Sequence, residues 1–283
     1  MSIKCYGTTD IGSKRVENQD CFGIYTIAGA TLCVVCDGMG GHAGGATASG
    51  TARDVFVAAV RESLEDAGAQ LTVPTFRHAL ERGASLANSA VRTAADNAEA
   101  LAGMGTTLVA LLLCENVGGC FVNVGDSRMY DITSASITQL THDHSYVQHL
   151  VDMGQMSEAE ARVSPVRNVI TRAVGIDDTV RPDLRSVDIS LPPDGKRWIL
   201  LCSDGLSGSV SDEIIHTVVC DGGTPEEKVN GLVGLANAAG GPDNITVLLV
   251  QLSYKRKATY PINKGISKNG EPTSAKRKWI IQK

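Results

Sequence analysis

The sequence predicts an α+β fold built on antiparallel sheet. Two observations carry that prediction. Short apolar runs that read as strands follow one another directly, and long segments with helical periodicity come in pairs, so there is no regular strand-helix alternation. No internal repeat is found. Taking the elements in order, Thr31–Cys36 is a short apolar run that ends in Asp37-Gly38, a buried strand meeting a loop. Residues 46–66 read as a helix with Val55, Phe56, Ala59, Val60 and Leu64 on one face. Residues 74–101 read as a second helix, striped by apolar residues every three or four positions from Phe76 to Leu101, with Pro74 at its start and Gly103 as its stop. Strands are expected near 106–114, 119–124, 127–132 and 136–140, and residues 143–175 are polar and partly helical. Strands near 184–191 and 197–202, helices near 211–220 and 225–239, and a strand at 245–252 complete the reading.

Composition narrows the function. The net charge of −5 conceals an acidic body and a basic tail. Residues 255–283 carry nine Lys/Arg and the single acid Glu271, whereas the preceding residues carry 17 bases and 30 acids. An acidic body argues against nucleic acid as the main partner and asks what its carboxylates hold. The longest apolar run, Leu108–Cys114, has seven residues, far short of the ~20 that span a membrane. No apolar leader follows Met1, so a cytoplasmic location is expected. The eight cysteines are scattered and several lie in apolar runs, as small core residues do in a reducing compartment. Cys33 and Cys36 match C-x-x-C, but residues three apart on a strand face opposite ways, which disfavours a zinc or redox site between them.

Four aspartates share one context. Asp37, Asp126, Asp204 and Asp243 each stand at the end of an apolar strand, flanked by small or turn residues. Singly, Asp-Gly is a turn signal. Together, carboxylates aimed from rigid strand ends would repel one another and need a cation, and an all-oxygen set selects a hard ion such as Mg²⁺ or Mn²⁺. The glycines of Asp37–His42 permit positive φ and let a backbone carbonyl approach such an ion. Near the N-terminus, Arg15, Asn18 and Asp20 share one Gly-containing stretch, and an arginine fork suits a phosphate.

With these pieces in order, the chain resembles the metal-dependent protein phosphatases (the PPM or type-2C Ser/Thr phosphatases) in their bacterial form. The matching strings are Gly12…Arg15-Val-Glu-Asn-Gln-Asp20, Cys36-Asp-Gly-Met-Gly-Gly-His-Ala-Gly44, Gly103-Met-Gly-Thr-Thr107, Val124-Gly-Asp-Ser-Arg128, Asp143-His-Ser145, Asn168-Val-Ile-Thr-Arg-Ala-Val-Gly175, Cys202-Ser-Asp-Gly-Leu206 and Gly241-Pro-Asp-Asn-Ile-Thr246. They cover about residues 4–253. The resemblance implies a four-layer α-β-β-α sandwich of two antiparallel sheets flanked by helix pairs, with a metal cleft at one end and a flap at about 144–167. It implies a phosphatase domain over 1–254, and the residues after Tyr254, rich in Lys, Gly, Pro, Asn and Ser with no period, read as a flexible basic extension over 255–283. It also implies two to three Mn²⁺ or Mg²⁺ ions. Asp37 and the Gly38 carbonyl would hold them with Asp204 and Asp243, Asp20 would support one indirectly, and Asp126 with Asp204 would take a third that Asn168 could face. A hydroxide bridging two ions would attack phosphorus directly, with Arg15 holding the phosphate and Asn244 bonding it or the attacking water.

Three positions depart from common family patterns. Gln19 stands where many relatives carry Glu. Met39 stands where many eukaryotic relatives carry the histidine proposed as general acid, so His42, three residues on, is the candidate for that role or for tuning substrate contact. Ser164-Pro165 stands where His-Pro is common. His142-Asp143-His144 could be a metal pair by composition, but a structural role at the flap entrance is preferred.

The expected activity is hydrolysis of phosphoserine and phosphothreonine in proteins, opposing a cognate Ser/Thr kinase, by a monomer with no membrane span and no nucleic-acid partner. The basic tail could instead touch anionic lipid, nucleic acid or an acidic protein. The alternative is a weak or inactive phosphoprotein-binding regulator, against which the full set of acids argues. A metal-dependent nuclease or nucleotide hydrolase is disfavoured by the acidic body.

Overall fold

The computed structural model describes residues 1–68 and 70–254, with the side chains among them except those of residues 41–43. The expected extension at 255–283 lies outside the described residues. The chain opens with β1 (Ser2–Asp10), β2 (Asp20–Ile27) and β3 (Ala30–Met39), followed by the helix pair α1 (Gly41–Ala67) and α2 (Val73–Asp96). Then come β4 (Gly105–Thr106), β5 (Leu108–Cys114), β6 (Gly118–Val124), β7 (Arg128–Ile132) and β8 (Ile137–Gln139). Short helices α3 (Tyr146–Asp152) and α4 (Glu158–Val163) precede β9 (Asp183–Val187) and β10 (Lys196–Cys202). The described chain closes with α5 (Asp204–Ser207), α6 (Asp212–Cys220), α7 (Pro225–Ala238) and β11 (Ile245–Ser253).

Every strand pairing is antiparallel. One sheet runs β1-β11-β10-β7-β8, and the other runs β2-β3-β5-β6-β9 with β4 hooked onto the end of β3. Three apolar clusters define the layers. Val34, Leu112 and Val122 face Phe56, Val60 and Leu80 of α1 and α2. Leu200, Val247 and Leu249 face Ile215, Val219 and Leu232 of α6 and α7. Cys33, Val35, Leu111, Ile199 and Leu248 fill the space between the sheets. The four expected layers are therefore present. The C-x-x-C pair behaves as strand geometry requires, with Cys33 between the sheets and Cys36 under the helices.

Sequence periodicity missed β1 and β2. Both are edge strands, and the residues of β1 are half-buried or exposed, so it carries no clean alternation. The second helix ends earlier than its stripe suggests. The backbone N–H of Asn97 donates to Thr93, Ala98 is extended, and the last apolar residues form a separate turn at Glu99–Leu101. At its start Thr72 accepts from the N–H of Thr75 with Pro74 in the first turn. Strand β9 ends before the expected residue 191, because Asp188 accepts from both the N–H and the hydroxyl of Ser190 and turns the chain.

Candidate metal and phosphate site

A polar cleft of about 330 Å³ opens where the two sheets end, and Arg15, Asp37, Asp126, Asn168, Asp204 and Asp243 all line it. The sheets supply it jointly. Asp20 opens β2 directly across from Asp37 near the end of β3, and Asp126 follows β6. Asp204 follows β10 and Asp243 precedes β11 in the other sheet.

Two hydroxyls reach Asp20 from the opposite sheet. Ser203 and Thr246 each donate to its Oδ2 at 2.7 Å. Its Oδ1 is buried without a hydrogen-bond partner. Burial pushes this carboxyl up to about 7 despite those donors, with Asp204 and Asp243 adding repulsion. Asp37 is fixed through its backbone. Its N–H donates to Thr107 Oγ1 at 2.9 Å, and its carbonyl accepts from Thr107 N–H at 2.8 Å and from the Thr106 hydroxyl at 2.9 Å. Its carboxyl is held well above the ordinary range by burial and then by Asp20, Asp204 and Asp126. Asp204 is pushed up to about 6 by burial and Asp243, against a hydrogen bond with the Asp37 carboxyl. Its Oδ1 also lacks a partner. Asp126 is raised by burial first and by Asp204 next.

Gly38 is required for space rather than for an unusual φ, since a Cβ there would stand 2.0 Å from the Gly45 carbonyl oxygen. Gly40 does have positive φ, at 133°.

These residues fit a hard cation. The donors are oxygens, two buried carboxylate oxygens are unpartnered, and burial and neighbouring acids raise the carboxyl pKa values. Among the described residues no three acidic, imidazole or thiol side chains are drawn into a closed ligand cluster. Asp37, Asp126, Asp204 and Asp243 line the cleft, and Asp37 and Asp204 perturb each other's ionisation. Asp243 is spoken for by Arg15 Nη2 at 2.7 Å and by the Asn244 N–H at 2.8 Å.

Arg15 is exposed on the rim of the cleft. Asn244 lines the cleft as well, with its amide turned to backbone partners. Its Oδ1 accepts from Gln19 N–H at 2.9 Å, and its Nδ2 donates to the carbonyls of Ile11 at 2.9 Å and Glu17 at 3.0 Å. The whole amide is engaged with the backbone of the loop that carries Arg15. Asn168 lines the cleft as an exposed side chain. The side chain of His42 lies outside the described residues.

The protein phosphatase 2C family model matches residues 7–221. The chain belongs to the protein phosphatase 2C family. It is 36% identical over 247 residues to protein phosphatase PhpP of Streptococcus pneumoniae, covering 87% of this chain and 96% of that protein. It is 38% identical over 268 residues to the serine/threonine protein phosphatase PstP of Mycobacterium tuberculosis, covering 94% of this chain and 48% of that longer protein. The crystal structure of a bacterial serine phosphatase superposes with a TM-score of 0.81 at 34% identity, covering 90% of this chain and 100% of that one.

Within this phosphatase 2C chain, sequence reasoning missed the hydroxyls that build the cleft. Thr107 and Ser127 share a 2.7 Å hydrogen bond behind Asp37. Asn18 donates to Thr9 and Thr9 meets Thr246, both at 2.8 Å, in a chain ending on Asp20. The available signal was a hydroxyl residue beside Asp126 and Asp204 and three positions after Asp243, with none near Asp37 or Asp20. The His142-Asp143-His144 run does not converge on one point. His142 meets Asp152 at 2.8 Å, Asp143 takes a forked contact from Arg128, and His144 Nδ1 accepts from Gly125 N–H at 3.1 Å. Burial and Arg172 lower the pKa of His144, which keeps it neutral for that bond.

Proposed function

We propose that this phosphatase 2C member hydrolyses phosphoserine and phosphothreonine in proteins and so reverses the action of Ser/Thr kinases, with residues 1–254 as its catalytic unit. One observation carries the reading: Asp37, Asp126, Asp204 and Asp243 line a cleft whose rim holds Arg15, and Asp204 there has a buried, unpartnered oxygen. Asp37, the Gly38 carbonyl, Asp204 and Asp243 are the groups that would hold Mg²⁺ or Mn²⁺, with Asp126 and Asn168 beside a further ion. Two such ions lower the pKa of water and draw charge from phosphoryl oxygens.

The chain's own residues supply the rest. Arg15 binds the phosphate with its guanidinium fork. Asn244 positions the Arg15 loop through its three backbone bonds. Ser203 and Thr246 hold Asp20 against the ligand set. Among the described residues no Cys, Ser or His lines the cleft, and Thr107 commits its hydroxyl to Asp37 and Ser127. That disfavours a thiol, hydroxyl or imidazole phosphoenzyme. No described helix is long and apolar enough to cross a membrane.

The test is phosphate release from a phosphothreonine peptide with Mn²⁺, beside Asp204→Asn. Release that the substitution abolishes is expected. No release by the wild type would leave the binding-regulator reading in its place, and equal release by the variant would remove the metal assignment.

A further inference from the structure

Four of the eight cysteines meet in two thiol pairs, and each pair includes a residue of β3, the strand that carries Asp37. Cys5 and Cys33 meet between the sheets with sulfurs 3.9 Å apart. Cys21 and Cys36 face each other directly across β2 and β3.

The rung geometry of the second pair follows from a neighbour. Gly38 N–H donates to the Gln19 carbonyl opposite it at 3.2 Å, so Gln19–Gly38 is a hydrogen-bonded rung. Rungs alternate along an antiparallel ladder, so Asp20–Asp37 is non-hydrogen-bonded and Cys21–Cys36 is hydrogen-bonded again. Hydrogen-bonded rungs hold their Cα atoms about 5.5 Å apart, and disulfides most often join Cα atoms about 5.5–6 Å apart. The register already matches, and closing the bond must draw the two Cβ atoms of the rung from about 5.5 Å to about 3.8 Å. Both sulfurs lie on the α1 side of the sheet, where Cys21 donates to the Ser49 carbonyl at 3.1 Å and Cys36 packs in the core. Cys21 is half-buried and Cys36 fully buried, which suits an attacking thiol beside a resolving one.

We propose that Cys21 and Cys36 form a peroxide-responsive dithiol whose disulfide, one rung from Asp20 and Asp37, lowers the activity of the cleft. The Cys21 sulfur attacks one oxygen of a hydroperoxide. The O–O bond breaks, the other oxygen leaves as water or alcohol with the thiol proton, and Cys21 becomes a sulfenic acid. The Cys36 sulfur then displaces that hydroxyl, which leaves as water with the Cys36 proton. The two thiols lose two electrons and the peroxide gains them. Closing the bond tilts the peptide units that Cys21 shares with Asp20 and Cys36 shares with Asp37. A displacement of about 1 Å at a reacting centre costs on the order of a hundredfold in rate. Thiol reductants restore the dithiol, as a regulatory disulfide in a reducing compartment requires. The affected activity is the one proposed above, whereas the bond itself is read independently of it.

The experiment treats the metal-loaded full chain with graded hydrogen peroxide, alkylates the remaining thiols, and divides each sample between a phosphopeptide assay and peptide mapping. Chymotrypsin separates the two cysteines by cutting after Phe22, Tyr25 and Leu32. The expected result is a Cys21–Cys36 linked peptide that grows in step with a loss of tenfold or more, reversal of both by dithiothreitol, and a Cys21→Ser protein that keeps its activity under the same oxidant. Activity loss with Cys21 and Cys36 still alkylatable would overturn the proposal. So would a Cys5–Cys33 link in place of Cys21–Cys36, or equal loss in Cys21→Ser. Absence of activity in the untreated, reduced wild type would count against the phosphatase reading alone, and the map would still decide the bond.

Discussion

Asp20 and Asp143 are equally buried, each 8% exposed, and both stand beside the same sheet ends, yet they are opposites. Asp143 is saturated. Arg128 reaches it through Nε at 2.9 and 3.1 Å and through Nη2 at 2.7 Å, and Gln139 adds a fourth bond at 2.8 Å. Asp20 has two hydroxyls on one oxygen, nothing on the other, and only acids for charged neighbours. Burial alone does not mark a functional acid. The missing countercharge does, and a bound cation is what supplies one.

The largest break in this comparison is expected from Asp204→Asn. Removing that carboxylate should lower phosphate release by about a thousandfold, the scale of one electrostatic group in a cleft, while metal-free stability in urea holds or rises because a repulsive charge is gone. A variant that unfolds instead would mean the acids stabilise the chain. On the structural side, Arg128→Ala strands Asp143 and should cost about 3 kcal/mol in the same urea titration. A cost below ~1 kcal/mol would place that pair with ordinary surface ion pairs.

The third test uses pH. With metal chelated, folded Asp20 titrates at about 7 against about 4 in the unfolded chain. The folded state keeps a proton that the unfolded state has released. Its contribution to stability is therefore complete below about pH 4 and is lost as pH rises through about 7, at up to about 1.4 kcal/mol per pH unit. Asp20→Asn should flatten this slope, and added Mn²⁺ should oppose it. A slope identical in wild type and Asp20→Asn would sink the assignment. The smallest effect is expected from Asn244→Ala. It should raise KM for a phosphopeptide several-fold through a loosened Arg15 loop, equivalent to about 1 kcal/mol, with kcat little changed. A collapse of kcat alone would return Asn244 to the phosphate or the water.

The strand-end aspartates were legible because each interrupts an apolar run with a turn residue beside it. The helix pairs were legible from their stripes. Strands β1 and β2 were not, because sheet edges bury too little on either face to impose alternation. The start of α1 at Gly41 was hidden by glycines, which are poor helix formers. Neither the hydroxyl chain onto Asp20 nor the full engagement of Asn244 could be read, since both depend on pairings between residues more than 180 positions apart. The same holds for Cys21–Cys36, which needs the ladder register before two scattered thiols become neighbours.

Strand β11 lies between β1 and β10, and the residues just before it, Asp243 and Asn244, bring one acid and the brace for the Arg15 loop. Residues made first at the ribosome therefore wait for residues made near the close of the domain before their sheet can be finished. A chain halted after α2 but short of Asp243 can gather β2, β3 and the first helix pair, but it lacks the strand that joins β1 to β10 and has no anchored arginine. A prematurely terminated product of this kind would be catalytically silent, and its exposed strand edges would mark it for proteolysis before it met a phosphoprotein.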